Sequence, residues 1–269
     1  MEESLLLNIN IDLPYQSSFE IVTNDQMIIT DLEKYYMGYA KTISNQCDRI
    51  ITVNNRANEY EIKFEDKIIS TTNPLQIIHN IIFENRKFDN NVIVLHGAAI
   101  EHNKKAAIFL APTTGGKTTL VSFLSQNGYR YITDDSVIIG INDFLVYPLS
   151  LPIHLREGGM EILGQYNVKP TMYDIVGQGE IKRYTYLPDN VADNPLPIDC
   201  IYFLNRNLSL NHVTQITGPD AIFNLCKSFA VPYDMTLKQI KFINSLSQNK
   251  CYIIDYSDMN YVLKLLERT

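Results

Sequence analysis

The segment Ala111-Pro112-Thr113-Thr114-Gly115-Gly116-Lys117-Thr118 constrains this 269-residue chain more than any other feature. The run Ala106–Leu110 before it is compact and apolar, as a strand buried on both faces requires. The stretch Lys117–Gln126 after it has helical patterning and is stopped by Asn127-Gly128. A strand that turns through glycines straight into a helix belongs in an α/β layer, where parallel strands need helical crossovers. Gly115 and Gly116 keep side chains away from the concave side of such a loop, and the helix N-terminus adds partial positive charge there. The segment fits the Walker A pattern with alanine at the first glycine position. Thr113, Thr114, Gly115, Gly116, Lys117, Thr118 and Thr119 are therefore expected to hold the phosphates of a nucleoside triphosphate. Lys117 would meet the β and γ oxygens, the Thr118 hydroxyl would bind Mg²⁺, and the backbone amides of residues 114–118 would line the concavity.

The rest of the chain agrees with an α/β core joined to a strand-rich N-terminal region. Leu5–Leu13, Arg49–Val53 and Tyr60–Phe64 read as strands, with Asp31–Thr42 as the helix among them. Asn73-Pro74 opens a stronger helix, capped by Asn73 and patterned by Leu75, Ile78, Ile81 and Ile82. Beyond it come strands at Val92–Leu95, Tyr131–Thr133, Val137–Ile141, Ile201–Leu204 and Cys251–Asp255. Helices are predicted over Pro219–Phe229, Thr236–Ser247 and Met259–Leu266. The domain division expected is 1–90 for the strand-rich region, a candidate for acceptor or partner binding, and 91–269 for the core.

Several function classes drop out on composition. A net charge of −7 is unsuited to a broad nucleic-acid surface, which relies on many lysine and arginine contacts. No segment offers the ~20 apolar residues of a membrane span, and Met1-Glu2-Glu3-Ser4 is acidic where a secretory signal is basic, so a cytoplasmic protein is expected. Cys47, Cys200, Cys226 and Cys251 lie too far apart for a metal cluster or disulfide framework and read as small buried hydrophobes.

A phosphate loop does not name the chemistry; the residues that return beside it do. Asp134-Asp135 follows one helix, a glycine turn and one strand after the loop. Two carboxylates there can divide the work, one associated with Mg²⁺ and one accepting the proton of an attacking hydroxyl, or both can serve the metal alone. Upstream, His96-Gly97 ends the strand Val92–Leu95.

Taken together, Val94–Ile100 with its His96-Gly97, the glycine loop, and Asn127–Asp135 resemble the HPr kinase family, most closely its branch in peptide-modification gene clusters. The order strand ending in His, hairpin, phosphate loop, helix, glycine and Asp-Asp agrees over about 45 residues of this chain. Looser similarity continues through Tyr147–Arg156 and Arg183–Pro188. The resemblance implies a phosphoenolpyruvate carboxykinase-like P-loop core and phosphoryl transfer from ATP to a serine or threonine hydroxyl. It makes Asp134 the base, Asp135 and Thr118 the magnesium-associated pair, and His96 a residue near the phosphates. The glycine-rich signature that follows the aspartates in HPr kinase/phosphorylases has no copy here. Glu157-Gly158-Gly159 and Gly177-Gln178-Gly179-Glu180 are the nearest stretches, so HPr itself is not the expected acceptor.

Phosphoryl transfer also calls for a second cation beside the loop lysine, and Arg183 and Arg156 are the candidates within the resembling segments. The leading expectation is an ATP- and Mg²⁺-dependent kinase of a hydroxyl-bearing acceptor, a precursor peptide first. A kinase of a small hydroxylated metabolite and a nucleotide-responsive peptide-binding module are the alternatives. A homo-oligomer is compatible with either class.

Overall fold

The computed structural model describes residues 6–41, 47, 49–57, 59–85, 88–168, 183–207, 209–230 and 235–268, with only the backbone of Arg183. The chain is mixed α/β and divides into two compact units: Met1–Asp89 with Tyr173–Thr185, and Asn90–Met172 with Tyr186–Thr269.

In the first unit, six described strands lie in the order β3-β1-β2-β4-β5-β6. They are β1 (Leu7–Ile11), β2 (Phe19–Thr23), β3 (Ala40–Lys41), β4 (Arg49–Asn55), β5 (Tyr60–Phe64) and β6 (Lys67–Thr71). Every pairing is antiparallel except β2 with β4. Alternation in β2, β4 and β5 buries Phe19, Ile21, Ile51, Val53, Ile62 and Phe64 on one face. Helices α1 (Gln26–Tyr35) and α2 (Pro74–Asn85) pack with one another. The helix expected over Asp31–Thr42 begins and ends earlier. The Asp25 carboxylate caps it by accepting from the Met27 amide at 2.9 Å, and Gly38, at φ +73°, turns the chain out into β3.

The second unit contains a nine-stranded mixed sheet among the described residues. Its strands are β7 (Val92–Leu95), β8 (Gly97–His102), β9 (Lys105–Leu110), β10 (Arg130–Thr133), β11 (Val137–Gly140), β12 (Leu145–Tyr147), β15 (Leu196–Arg206), β16 (His212–Ile216) and β17 (Cys251–Tyr256). One further strand of this unit, β13 (Ile153–Arg156), stands outside it, and β14 (Arg183–Tyr186) falls where the chain passes from the first unit back to the second. The path runs β10-β8-β9-β15-β12-β11-β7, and β17 with β16 continues from β15. At its centre β9, β15 and β17 are parallel, which the crossover helices α3 (Lys117–Gln126), α5 (Pro219–Lys227) and α6 (Leu237–Leu246) make possible. Helices α4 (Glu157–Gln165) and α7 (Met259–Leu266) lie against α3. Leu225, Phe242, Ile243 and Leu246 of α5 and α6 instead join a core with Ile108, Leu110, Ile201 and Phe203. Alternate residues of the central strands thus face different helical layers, and the runs are apolar throughout for that reason.

Gly158 and Gly159 fall inside α4, and no glycine loop forms there. A Cβ on Gly159 would stand 3.1 Å from the Thr119 hydroxyl oxygen, so this glycine lets α4 approach α3 closely. Helix α5 stops at Lys227, two residues short of the expectation, and Phe229 bridges to Leu95 instead. Cys200 and Cys251 are buried as expected, whereas Cys47 is half-buried and Cys226 exposed, and none of the four is in a disulfide.

Candidate active site

Strand directions bring the chemistry-bearing residues to one edge of the sheet. β8 is antiparallel to both β9 and β10, so Leu110 at the end of β9 and Thr133 at the end of β10 both reach the start of β8, opposite Gly97 and Ala99. β7 ends at Leu95 on the same side, paired with Val137. The glycine loop, Asp134-Asp135 and His96 all continue from these ends. Gly97 is needed at this crossing: a Cβ there would lie 2.9 Å from the Phe109 carbonyl oxygen and collide with Leu110.

The loop itself leaves a helix N-terminus open. Thr114 (φ +68°) and Gly116 (φ +87°) both take left-handed backbone, and Gly116 occupies the cap position of α3 with no side-chain cap. Glycine offers no side-chain acceptor, so the first amides of α3 receive no cap from that position. The Gly115 amide does not join them; it closes a turn onto the Pro112 carbonyl at 2.9 Å. Thr113 is exposed, the Thr114 hydroxyl turns back to the Thr113 carbonyl at 2.5 Å, and Thr119 lies beside Gly159.

Lys117 is buried, 4% exposed, and its ammonium folds back on its own loop. It donates to the Ala111 carbonyl at 2.8 Å and the Pro112 carbonyl at 3.2 Å, and stands 3.1 Å from His96 Nε2. These contacts use the three donors of an ammonium. A charged lysine requires Nε2 to accept, which leaves the proton on Nδ1, 3.3 Å from the Asp135 carbonyl oxygen. His96 is thus held between the loop lysine and the aspartate turn. Burial lowers the Lys117 pKa, opposed by the charges of Asp135 and Asp134.

Asp134 and Asp135 form a tight turn in which the Ser136 amide donates to the Asp134 carbonyl at 2.9 Å, with Asp135 at φ +65°. Their environments differ. Asp135 is exposed, while Asp134 is half-buried and its Oδ1 is fully covered with no hydrogen-bond partner. Burial first, and then the Asp135 charge, pushes the Asp134 pKa up to about 7; the Thr118 hydroxyl, the Asp135 amide and Lys117 pull the other way. Burial and a neighbouring negative charge both disfavour the ionised form of a covered carboxylate.

Arg156 closes β13 as an exposed residue at the cap position of α4. Arg183 opens β14, but its side chain lies outside the described residues, as does the stretch Gly177–Glu180. Two residues that the sequence reading passed over lie close to the site. The Tyr256 hydroxyl is 3.0 Å from where a Cβ of Gly116 would stand. Buried Tyr186, its pKa pushed up to about 12 by burial, feels the Asp134 charge. Tyr256 stands in no motif, and Tyr186 falls within the Arg183–Pro188 stretch, where no role was expected of it.

Among the described residues no group of three or more His, Cys, Asp and Glu could hold a metal by itself. The Thr118 hydroxyl and the exposed Asp135 carboxylate are oxygen donors of the kind a hard cation takes when its remaining ligands come from phosphate and water. Among the same residues no helix is long and apolar enough to cross a membrane. No protein-family model matches the chain, and no curated protein matches its sequence.

Proposed function

We propose that the protein is an ATP-dependent phosphotransferase of the HPr kinase-like kind, acting in the cytoplasm on a serine or threonine hydroxyl of a peptide. The observation that carries this reading is Asp134. It is a covered carboxylate whose orphaned oxygen and near-neutral pKa suit a general base, at the same sheet edge as the uncapped N-terminus of α3. The acceptor oxygen attacks the γ-phosphorus as its proton passes to the Asp134 carboxylate. The bond from that phosphorus to the β,γ-bridging oxygen breaks, and ADP leaves.

The open amides of α3 bind the triphosphate, and Lys117 exchanges its loop carbonyls for phosphate oxygens. His96 keeps the lysine aimed while it does so. Thr118 and Asp135 would hold Mg²⁺, which would supply charge neutralisation on the phosphate oxygens. The parallel strands β9, β15 and β17, with the loop at their carboxyl ends, support a phosphoenolpyruvate carboxykinase-like P-loop core.

Incubation with ATP, Mg²⁺ and a panel of serine- and threonine-bearing peptides, followed by mass spectrometry, should yield peptides carrying one added phosphate. Intact peptides from a protein that binds ATP would reject the kinase reading.

A further inference from the structure

Lys117 is engaged by its own loop and His96, so a second cation with unused donors would change what the site can grip. Arg206, the last residue of β15, has them. The parallel register pairs Phe203 with Leu110, the final residue of β9. Arg206 therefore lies three residues beyond that last pairing, at the end of the sheet where the glycine loop leaves β9. On its other side Arg206 pairs with Tyr256, whose hydroxyl abuts Gly116. Register partners on parallel strands share a sheet face, so the guanidinium lies on the face that carries α3. Its charge reaches the Tyr256 and Tyr166 hydroxyls, opposing the upward push that burial gives both.

The side chain is exposed and forms no ion pair among the described residues. The nearby carboxylates are otherwise engaged. Asp255 accepts from Asn205 at 2.6 Å, and Asp258 from the Tyr166 hydroxyl at 2.7 Å and the Asn260 amide at 2.9 Å. An uncommitted guanidinium is planar, permanently charged and suited to bidentate phosphate recognition.

We propose that Arg206 is the second cation of the nucleotide site, binding the terminal phosphoryl oxygens of the triphosphate. This rests on the kinase reading above and supplies the cation that the sequence assigned to Arg156 or Arg183.

The test is calorimetric titration of the full chain with MgATP and MgADP, for wild type, R206A, R206K and R156A, with thermal melts to verify folding. R206A should weaken ATP by about tenfold or more while changing ADP by less than about threefold. R206K should recover part of the difference, and R156A should keep the wild-type ATP-to-ADP ratio. An unchanged ratio in R206A, or an ATP-selective loss in R156A instead, overturns the assignment while leaving the kinase reading standing. A wild-type protein that binds neither nucleotide overturns both.

Discussion

Replacing Asp134 by asparagine should stabilise the nucleotide-free protein, and by an amount that depends on pH. The carboxyl titrates near 3.8 when unfolded and at about 7 in the native protein. Between those values the folded chain holds a proton that the unfolded chain has released, so native stability falls as pH rises across that window. A shift of about three units, at ~1.4 kcal/mol each, sets a ceiling of about 4 kcal/mol above pH 7. Asparagine removes the charge but leaves a polar atom where Oδ1 is unpartnered, which costs roughly 1–3 kcal/mol in either protonation state. That cost is common to aspartate and asparagine and cancels in the comparison, so Asp134→Asn should gain up to about 4 kcal/mol at pH 8 and close to nothing at pH 4. Urea unfolding of both proteins at several pH values reads the difference directly. An asparagine variant whose stability difference from wild type is the same at pH 4 and pH 8 would refute the claim that Asp134 is charged at a cost in the fold.

Other consequences follow from the same edge of the sheet. Thr118→Val removes a hydroxyl that favours the charged form of Asp134, so the midpoint of the pH–rate profile should move above its wild-type position near 7; an unmoved midpoint would separate Thr118 from the base. Gly97→Ala drives a methyl into Leu110 and the Phe109 carbonyl, and overpacking of this kind should cost about 1–3 kcal/mol, seen as a lower melting temperature. His96→Ala deletes one of the three acceptors around the Lys117 ammonium. Titration with MgATP should show weakened affinity through loss of lysine aim, with the melting temperature little altered.

How much of this was legible in the sequence depended on whether the signal was local. The strand–loop–helix around Gly115-Gly116 was, because apolar continuity, glycine placement and helix patterning all lie within neighbouring residues. Asp134-Asp135 was legible as a pair, but the difference between its members was not: it arises from burial of one oxygen, which only tertiary packing decides. The helix assigned to Asp31–Thr42 was misplaced because Asn24-Asp25 reads equally as a turn and as a cap, and the cap won through the Met27 amide. Gly158-Gly159 was noted only as a glycine-bearing stretch, and both lie in α4, where Gly159 meets Thr119 of α3. Tyr256 had no sequence signal, since its place beside Gly116, and its pairing with Arg206, depend on β17 joining the sheet next to β15.

The most direct test of the whole account is single-turnover transfer from γ-labelled ATP, comparing wild type with Asp134→Asn on an accepted peptide while nucleotide affinity is measured in parallel. The account predicts that the asparagine variant binds MgATP at least as tightly as wild type and transfers ~10²–10⁴-fold more slowly. Transfer at the wild-type rate by the asparagine variant would contradict it.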